Sequence, residues 1–170
     1  MLSEKLFSVR DKVNVMDLNK NPLGIFARKL LVVGGAMYRL YDVADEDTTI
    51  STVKEKLIAV RPTYTFYRGD EKDANELGKL RQELVSFGPK FWFEDPSGNT
   101  RFRMKGNLLE LHYKIFKEDN PVAEINRELF HIRDAYGVRM DPRLDDDTAM
   151  LVLGIVIMLH HEREEREERG

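Results

Sequence analysis

The chain has no cysteine, which excludes disulfides, thiolate metal sites and cysteine nucleophiles and gives no sign of an oxidising compartment. It has no glycine-rich phosphate loop, since Gly34-Gly35 and Gly69 fall at strand connections with no helix behind them. It has little net charge: 27 basic against 30 acidic residues leave −3, so no overall field draws it to nucleic acid or to an anionic membrane. Any such binding must come from a local patch. No apolar run approaches the roughly 20 residues of a transmembrane helix. The segment Met1 to Arg10 lacks the apolar region and small-residue cleavage site of a secretory signal, so a cytoplasmic location is expected, with peripheral membrane attachment left open.

Groups for catalysis are equally sparse. His112 and His131 are isolated, and the adjacent His160 and His161 face different sides of a helix, which rules out the usual i, i+4 metal pair. Asp145-Asp146-Asp147 lacks the alternating oxygen ligands and central glycine of a calcium loop. With no nucleophile and base, paired carboxylates or metal cluster in view, the expectation is a protein without enzymatic activity, cofactor or metal.

What is present is organised around one stretch, Thr148 to Leu159, which reads Thr-Ala-Met-Leu-Val-Leu-Gly-Ile-Val-Ile-Met-Leu. A helix with no polar stripe must be surrounded, and this one is too short to be surrounded by lipid. At about 1.5 Å per residue it spans roughly 18 Å, which suits the bore of a small closed sheet. At 42% hydrophobic, 170 residues can bury one substantial core, so a single domain over 1–170 is expected. Its parts are a wall over 1–141, a central helix over 143–161 and an exposed charged tail over 162–170.

The wall is a motif written six times. Leu6, Leu30, Leu57, Leu84, Leu108 and Leu129 recur at spacings of 24, 27, 27, 24 and 21 residues. After each comes a short alternating strand: Val13-Asn14-Val15, Tyr38-Arg39-Leu40, Tyr64-Thr65-Phe66, Phe91-Trp92-Phe93, Tyr113-Lys114-Ile115 and Tyr136-Gly137-Val138. Period-two alternation makes one sheet face apolar and the other mostly polar. Turns rich in Asn, Asp, Gly and Pro follow, as in Asp95 to Asn99 and Glu118 to Pro121. On the return strands, Phe26, Val53, Leu80, Met104 and Ile125 lie four residues before a leucine. Gly24, Ser51, Gly78 and Ala123 lie two residues earlier still, with Phe102 breaking the small-residue pattern.

Five hairpins with an opening and a closing strand make about a dozen antiparallel strands. Eight strands already leave a bore that side chains fill, so a dozen need something more inside, and the apolar helix supplies it. The expected fold is therefore mainly β, a closed antiparallel barrel of about twelve strands around a central hydrophobic C-terminal helix. The alternative is an open β-sandwich with the helix outside, which should show a polar stripe on the helix. The interior is expected to hold no ionisable group and no ligand pocket. At the start of the helix, Asp145 to Asp147 supply a cap and acids in the first turn. Beyond it, Glu162 with Arg166 and Glu165 with Arg169 form i, i+4 pairs of an exposed helical end, or one that frays.

The run Lys5-Leu6-Phe7-Ser8-Val9-Arg10-Asp11-Lys12, the run Lys56-Leu57-Ile58-Ala59-Val60-Arg61-Pro62-Thr63-Tyr64 and the final apolar helix resemble the LURP-one-related family of the tubby C-terminal-like superfamily, from about Leu2 to Leu159. The resemblance implies a twelve-stranded barrel around a central helix. It also implies kinship with phosphoinositide-binding tubby-like proteins and phospholipid scramblases, although LURP-one-related members mostly lack an assigned activity. The chain departs from those relatives in showing no scramblase-type membrane segment and no appended DNA-binding or regulatory domain. No functional residue of the family is carried over.

The best local feature is the outer face around the Asp95 turn. Arg101, Arg103 and Lys105 alternate with Phe102 and Met104, Trp92 points to the same face, and Lys90 and Lys114 lie on the same and the following strand. An exposed tryptophan among cations suits a lipid headgroup interface, an anionic ligand or a base, against a bland solvated face with Arg packed over the indole. The leading expectation is a non-enzymatic binding module for anionic phospholipid headgroups or a membrane surface. The alternative is a protein-interaction or scaffold domain that docks a protein partner on its charged C-terminal helix.

Overall fold

Alternating apolar and polar side chains fold into strands that share one inward face. The computed structural model describes residues 2–5, 12–16, 19, 21–30, 36–42, 44–45, 47–58, 61–85, 88–107, 112–126 and 135–170. Its strands are β1 (Leu2–Lys5), β2 (Lys12–Met16), β3 (Pro22–Leu30), β4 (Ala36–Tyr41), β5 (Thr49–Ile58) and β6 (Arg61–Arg68). They continue with β7 (Glu76–Val85), β8 (Gly88–Glu94), β9 (Thr100–Asn107), β10 (His112–Lys117), β11 (Asn120–Asn126) and β12 (Ala135–Met140), and the single helix α1 (Asp146–Arg169) follows. The fold is thus mainly β, antiparallel, with one C-terminal helix. The strand order is β1-β12-β11-β10-β9-β8-β7-β6-β5-β4-β3-β2. Strand β1 bonds β2 from Leu2↔Val15 to Lys5↔Lys12 and meets β12 at Leu2↔Tyr136 and Ser3↔Ala135.

The core lies where the apolar strand faces meet α1. Tyr38, Leu40, Val53, Tyr64, Phe66, Leu80, Phe91, Phe93, Met104, Tyr113, Ile115 and Ile125 are buried as the alternation requires. Val138 is only partly buried, and the side chains of Val13, Val15, Phe26 and Tyr136 lie outside what the structure describes. Leu6, Leu108 and Leu129 likewise fall outside the described residues. The small positions of the repeat, Ser51 and Ala123, are buried, as is Phe102, which breaks the pattern. Phe66 meets Phe93 edge-on at 5.3 Å, and Phe93 meets Phe102 at 6.1 Å, which links strands β6, β8 and β9 of two neighbouring hairpins through aromatic contacts.

The middle of the helix is buried on every side. Ile155, Val156, Ile157, Met158 and Leu159 are each at most 3% exposed, and five consecutive helical residues cover more than one full turn. No outward stripe is left for solvent along this stretch. The start of α1 is set by Asp145, whose carboxylate accepts the backbone N–H of Thr148 at 2.8 Å and its hydroxyl at 2.8 Å, a side-chain cap. Asp146 and Asp147 occupy the first turn, where the helix dipole favours acids. The helix runs to Arg169, so the charged residues 162–169 continue it, the course that the i, i+4 pairs allow.

The interior corrects one expectation. Glu55 and His161, each 4% exposed, are ionisable groups buried with the core, and Gln82 and Thr65 are buried too. The reason is periodicity: Glu55 is two residues beyond buried Val53 on the same face of β5, and His161 is two helical turns beyond buried Gly154. The His161 ring lies 5.3 Å from that of Tyr38, so it packs against the wall rather than facing solvent at the helix end.

Gly154 shows how tightly helix and wall fit. A Cβ there would stand 2.7 Å from Cε1 of Phe66 and 3.6 Å from Cγ2 of Val53. Alanine would gain roughly 1 kcal/mol of helix propensity but would incur about 1–3 kcal/mol of overpacking. Gly154→Ala is therefore predicted to lower stability in chemical denaturation, and Phe66→Leu in the same chain to cost less than it does alone. Additive losses would show that α1 does not press on β6.

Candidate functional site

The outer face of β8, β9 and β10 carries the predicted cations, and strand register decides which of them meet. The type of turn from Asp95 to Asn99 sets that register for β8 and β9. The Asp95 carboxylate accepts the backbone N–H groups of Ser97 at 3.0 Å and Asn99 at 2.9 Å, which, led by the Asn99 bond, hold its pKa below the ordinary value. Phe93 then faces Phe102, and Trp92 faces Arg103. On the other side of β9, Lys105 faces Lys114 and Arg103 faces Phe116. The burial alternation of β9 puts Arg101, Arg103 and Lys105 outward and Phe102 and Met104 inward, and Lys90 and Lys114 are exposed as well.

Lys105 directly opposite Lys114 is the unusual feature. Opposed like charges on a sheet are destabilising, by the same few tenths to about 1 kcal/mol that an opposite pair contributes. Among the described residues Lys90, Arg103 and Lys114 have no carboxylate within ion-pair distance, and the Lys105 ammonium lies 5.0 Å from the Phe116 ring centre, a cation–π contact. The cluster therefore keeps its positive charge. The close approach of β9 and β10 is made possible by Gly106, at φ 149°, where a Cβ would stand 2.0 Å from the carbonyl oxygen of His112. An open groove of about 320 Å³ lies here, lined by Lys105, Gly106, Asn107, His112, Lys114 and Phe116.

Trp92 sits differently from the expected exposed residue. It is half-buried, and its indole N–H donates to Glu94 at 2.7 Å, while Arg81 donates to the other oxygen of the same carboxylate at 2.7 Å. Glu94 stands on the strand of Trp92, two residues on, and so reaches the same face. The bond from Trp92, followed by that from Arg81, holds the Glu94 carboxyl below its usual value. The indole is thus fixed in orientation with one edge of its ring system engaged.

Sequence reasoning did not bring in Phe116, Glu124 or Arg139. Glu124 lies between Lys114 on β10 and Arg139 on β12 in register, and His112 Nε2 stands 3.5 Å from its Oε1. A second open groove, of about 500 Å³, lies on the far side of Lys114 between β11 and the segment that leads to α1. There Asp141 is clasped by Arg143 through two guanidinium bonds and a backbone N–H, which pull its pKa down to about 2. His131, the other histidine singled out, lies outside the described residues.

The single tryptophan makes the Glu94 clasp measurable. Because the folded-state pKa of Glu94 lies below 4.5, the clasp is fully present above that value and is lost as pH falls through the folded pKa. Tryptophan fluorescence of the folded protein is predicted to titrate with a midpoint below 4.5, and the transition should vanish in Glu94→Gln. A midpoint at or above 4.5 would show that Glu94 does not hold the indole.

Comparison with known proteins gives a family and a fold. The family model described as LURP-one-related matches residues 1–160. The fold is similar to that of a protein from Arabidopsis thaliana solved by X-ray crystallography, with a TM-score of 0.61 and 20% identity over 92% of this chain and 86% of that one. At that identity the likeness speaks to fold alone. No curated protein matches the chain. No helix among the described residues is long and apolar enough to cross a membrane. With the family model spanning all but the last ten residues, the chain belongs to the LURP-one-related family.

Proposed function

We propose that the protein is a non-enzymatic binding module for anionic membrane surfaces, acting through the face of Lys90, Trp92, Arg101, Arg103, Lys105 and Lys114. In this reading the strand ladder works as a closed twelve-stranded barrel around α1, sealed by the two β1 to β12 pairs. Enclosure of the helix on all sides supports that closure. The observation that carries the binding reading is the opposition of Lys105 and Lys114. A folded protein keeps two ammonium groups facing each other at a cost, and an anion placed between them removes it. Trp92, half-buried and held by Glu94, supplies the amphipathic ring that belongs at a headgroup interface.

A membrane-surface contact contributes about 1 kcal/mol per basic side chain and weakens with salt. Arg103→Glu is predicted to weaken co-sedimentation with phosphatidylcholine vesicles containing phosphatidylserine by roughly thirtyfold, since reversing a charge counts about twice. Lys105→Glu should weaken it similarly, yet leave stability within about 1 kcal/mol, because the new pair with Lys114 offsets the lost contact with Phe116. Equal sedimentation with neutral and anionic vesicles at low salt would remove the proposal.

A further inference from the structure

The groove between β11 and the segment leading to α1 has a chemistry of its own. Its floor is Val122 and Ala123, both buried, and its walls include Pro121, Met140 and Pro142. A β-bulge shapes it: Ile115 pairs Ala123 and Phe116 pairs Pro121, which leaves Val122 as an extra residue with no partner on β10. The carbonyl of Val122 instead accepts the backbone N–H of Asp141 at 2.9 Å, so the segment after β12 is tied back over the bulge. Pro121 and Pro142 have no N–H, and the edges of β11 are taken by β10 and β12. A peptide laid here would find few partners for its backbone polar groups, whereas a chain of methylenes needs none.

Charge fixes the other end of the occupant. Of the two acids in the lining, Asp141 is clasped by Arg143, and Glu124 stands opposite both Lys114 and Arg139 in strand register, with His112 Nε2 3.5 Å from its Oε1, so the cations of the lining outnumber the acids. Lys114 and Arg139 are exposed cations with no ion pair among the described residues, and both stand at the groove. At about 500 Å³ it falls within the range of small-molecule sites.

We propose that this groove binds one single-chain anionic amphiphile, a lysophospholipid, with its phosphate at Lys114 and Arg139 and its acyl chain along Pro121, Val122 and Met140. The inference rests on the anionic-lipid reading above and assigns it a discrete site beside the membrane-facing cluster, with Lys114 shared between the two. A membrane below the outer face would cover the open side of the groove and shield the chain from water.

The test is a titration of the full chain with lysophosphatidic acid below its aggregation threshold, read by the methyl resonances of Val122, Ala123 and Met140. Saturable shifts are expected, with glycerol 3-phosphate binding at least tenfold more weakly because it lacks the chain. Arg139→Glu and Pro121→Glu, both at exposed positions, should each weaken lysophosphatidic acid binding about tenfold or more, and retained methyl dispersion will show that the variants are folded. Arg103→Glu should leave this binding unchanged while it weakens sedimentation with anionic vesicles roughly thirtyfold, so the groove and the membrane-facing cluster fail separately. The proposal is overturned if glycerol 3-phosphate binds as tightly as the amphiphile, which would mean a headgroup site only. It is equally overturned if an acidic peptide displaces the amphiphile with higher affinity, or if Pro121→Glu has no effect.

Discussion

A helix that is apolar on every side can exist in water only if something encloses it, and the rest of this protein answers that requirement. From Ile155 to Leu159 no side chain is more than 3% exposed. The enclosure is intimate: the wall comes so near at Gly154 that a methyl group would press on Phe66. The hairpins are linked to each other by backbone ladders and to the helix by apolar contact. Removing the helix would therefore leave inward aromatic residues such as Phe93 and Phe102 facing a void rather than each other and α1.

Filling the inside in this way leaves the outer face for the binding proposed above. The inner residues are spent on packing, and the ionisable groups that do lie within, Glu55 and His161, are each 4% exposed and inaccessible to a large partner. On the outer face the same register that aligns the core also aligns charge. Arg139, Glu124, Lys114 and Lys105 form one row across four strands, linked pair by pair. Within that row the opposed lysines are the one step where neighbours repel, and the two open grooves flank one of them, Lys114.

Much of this was legible in the sequence because period two is a local signal. Tyr64-Thr65-Phe66 and Phe91-Trp92-Phe93 announce which side faces in, and the turn chemistry at Asp95 to Asn99 pairs β8 with β9. Glu55 was not legible, since Lys54-Glu55-Lys56 reads as solvated charge although counting two from Val53 places it inward. His161 was hidden by the charged run that follows it, where burial depends on how far the wall extends along the helix. Arg139 and Phe116 escaped because the residues opposite them, Glu124 and Arg103, are set by strand register, which pairs segments that no local pattern ties together. The exposure of Trp92 was overestimated because the bond to Glu94 requires the two side chains to tilt toward each other along one strand.

If α1 is an internal element, its stability is that of the whole fold. Native-state hydrogen exchange tests it most directly, because an enclosed helix can open only when its enclosure does. The amides from Val152 to Leu159 are predicted to exchange through global unfolding, with the same free energy of opening and the same denaturant dependence as those of Phe93 and Ile115. Helix amides that exchange orders of magnitude faster while the strands stay protected would contradict it, and would place α1 on the outside of an open sheet.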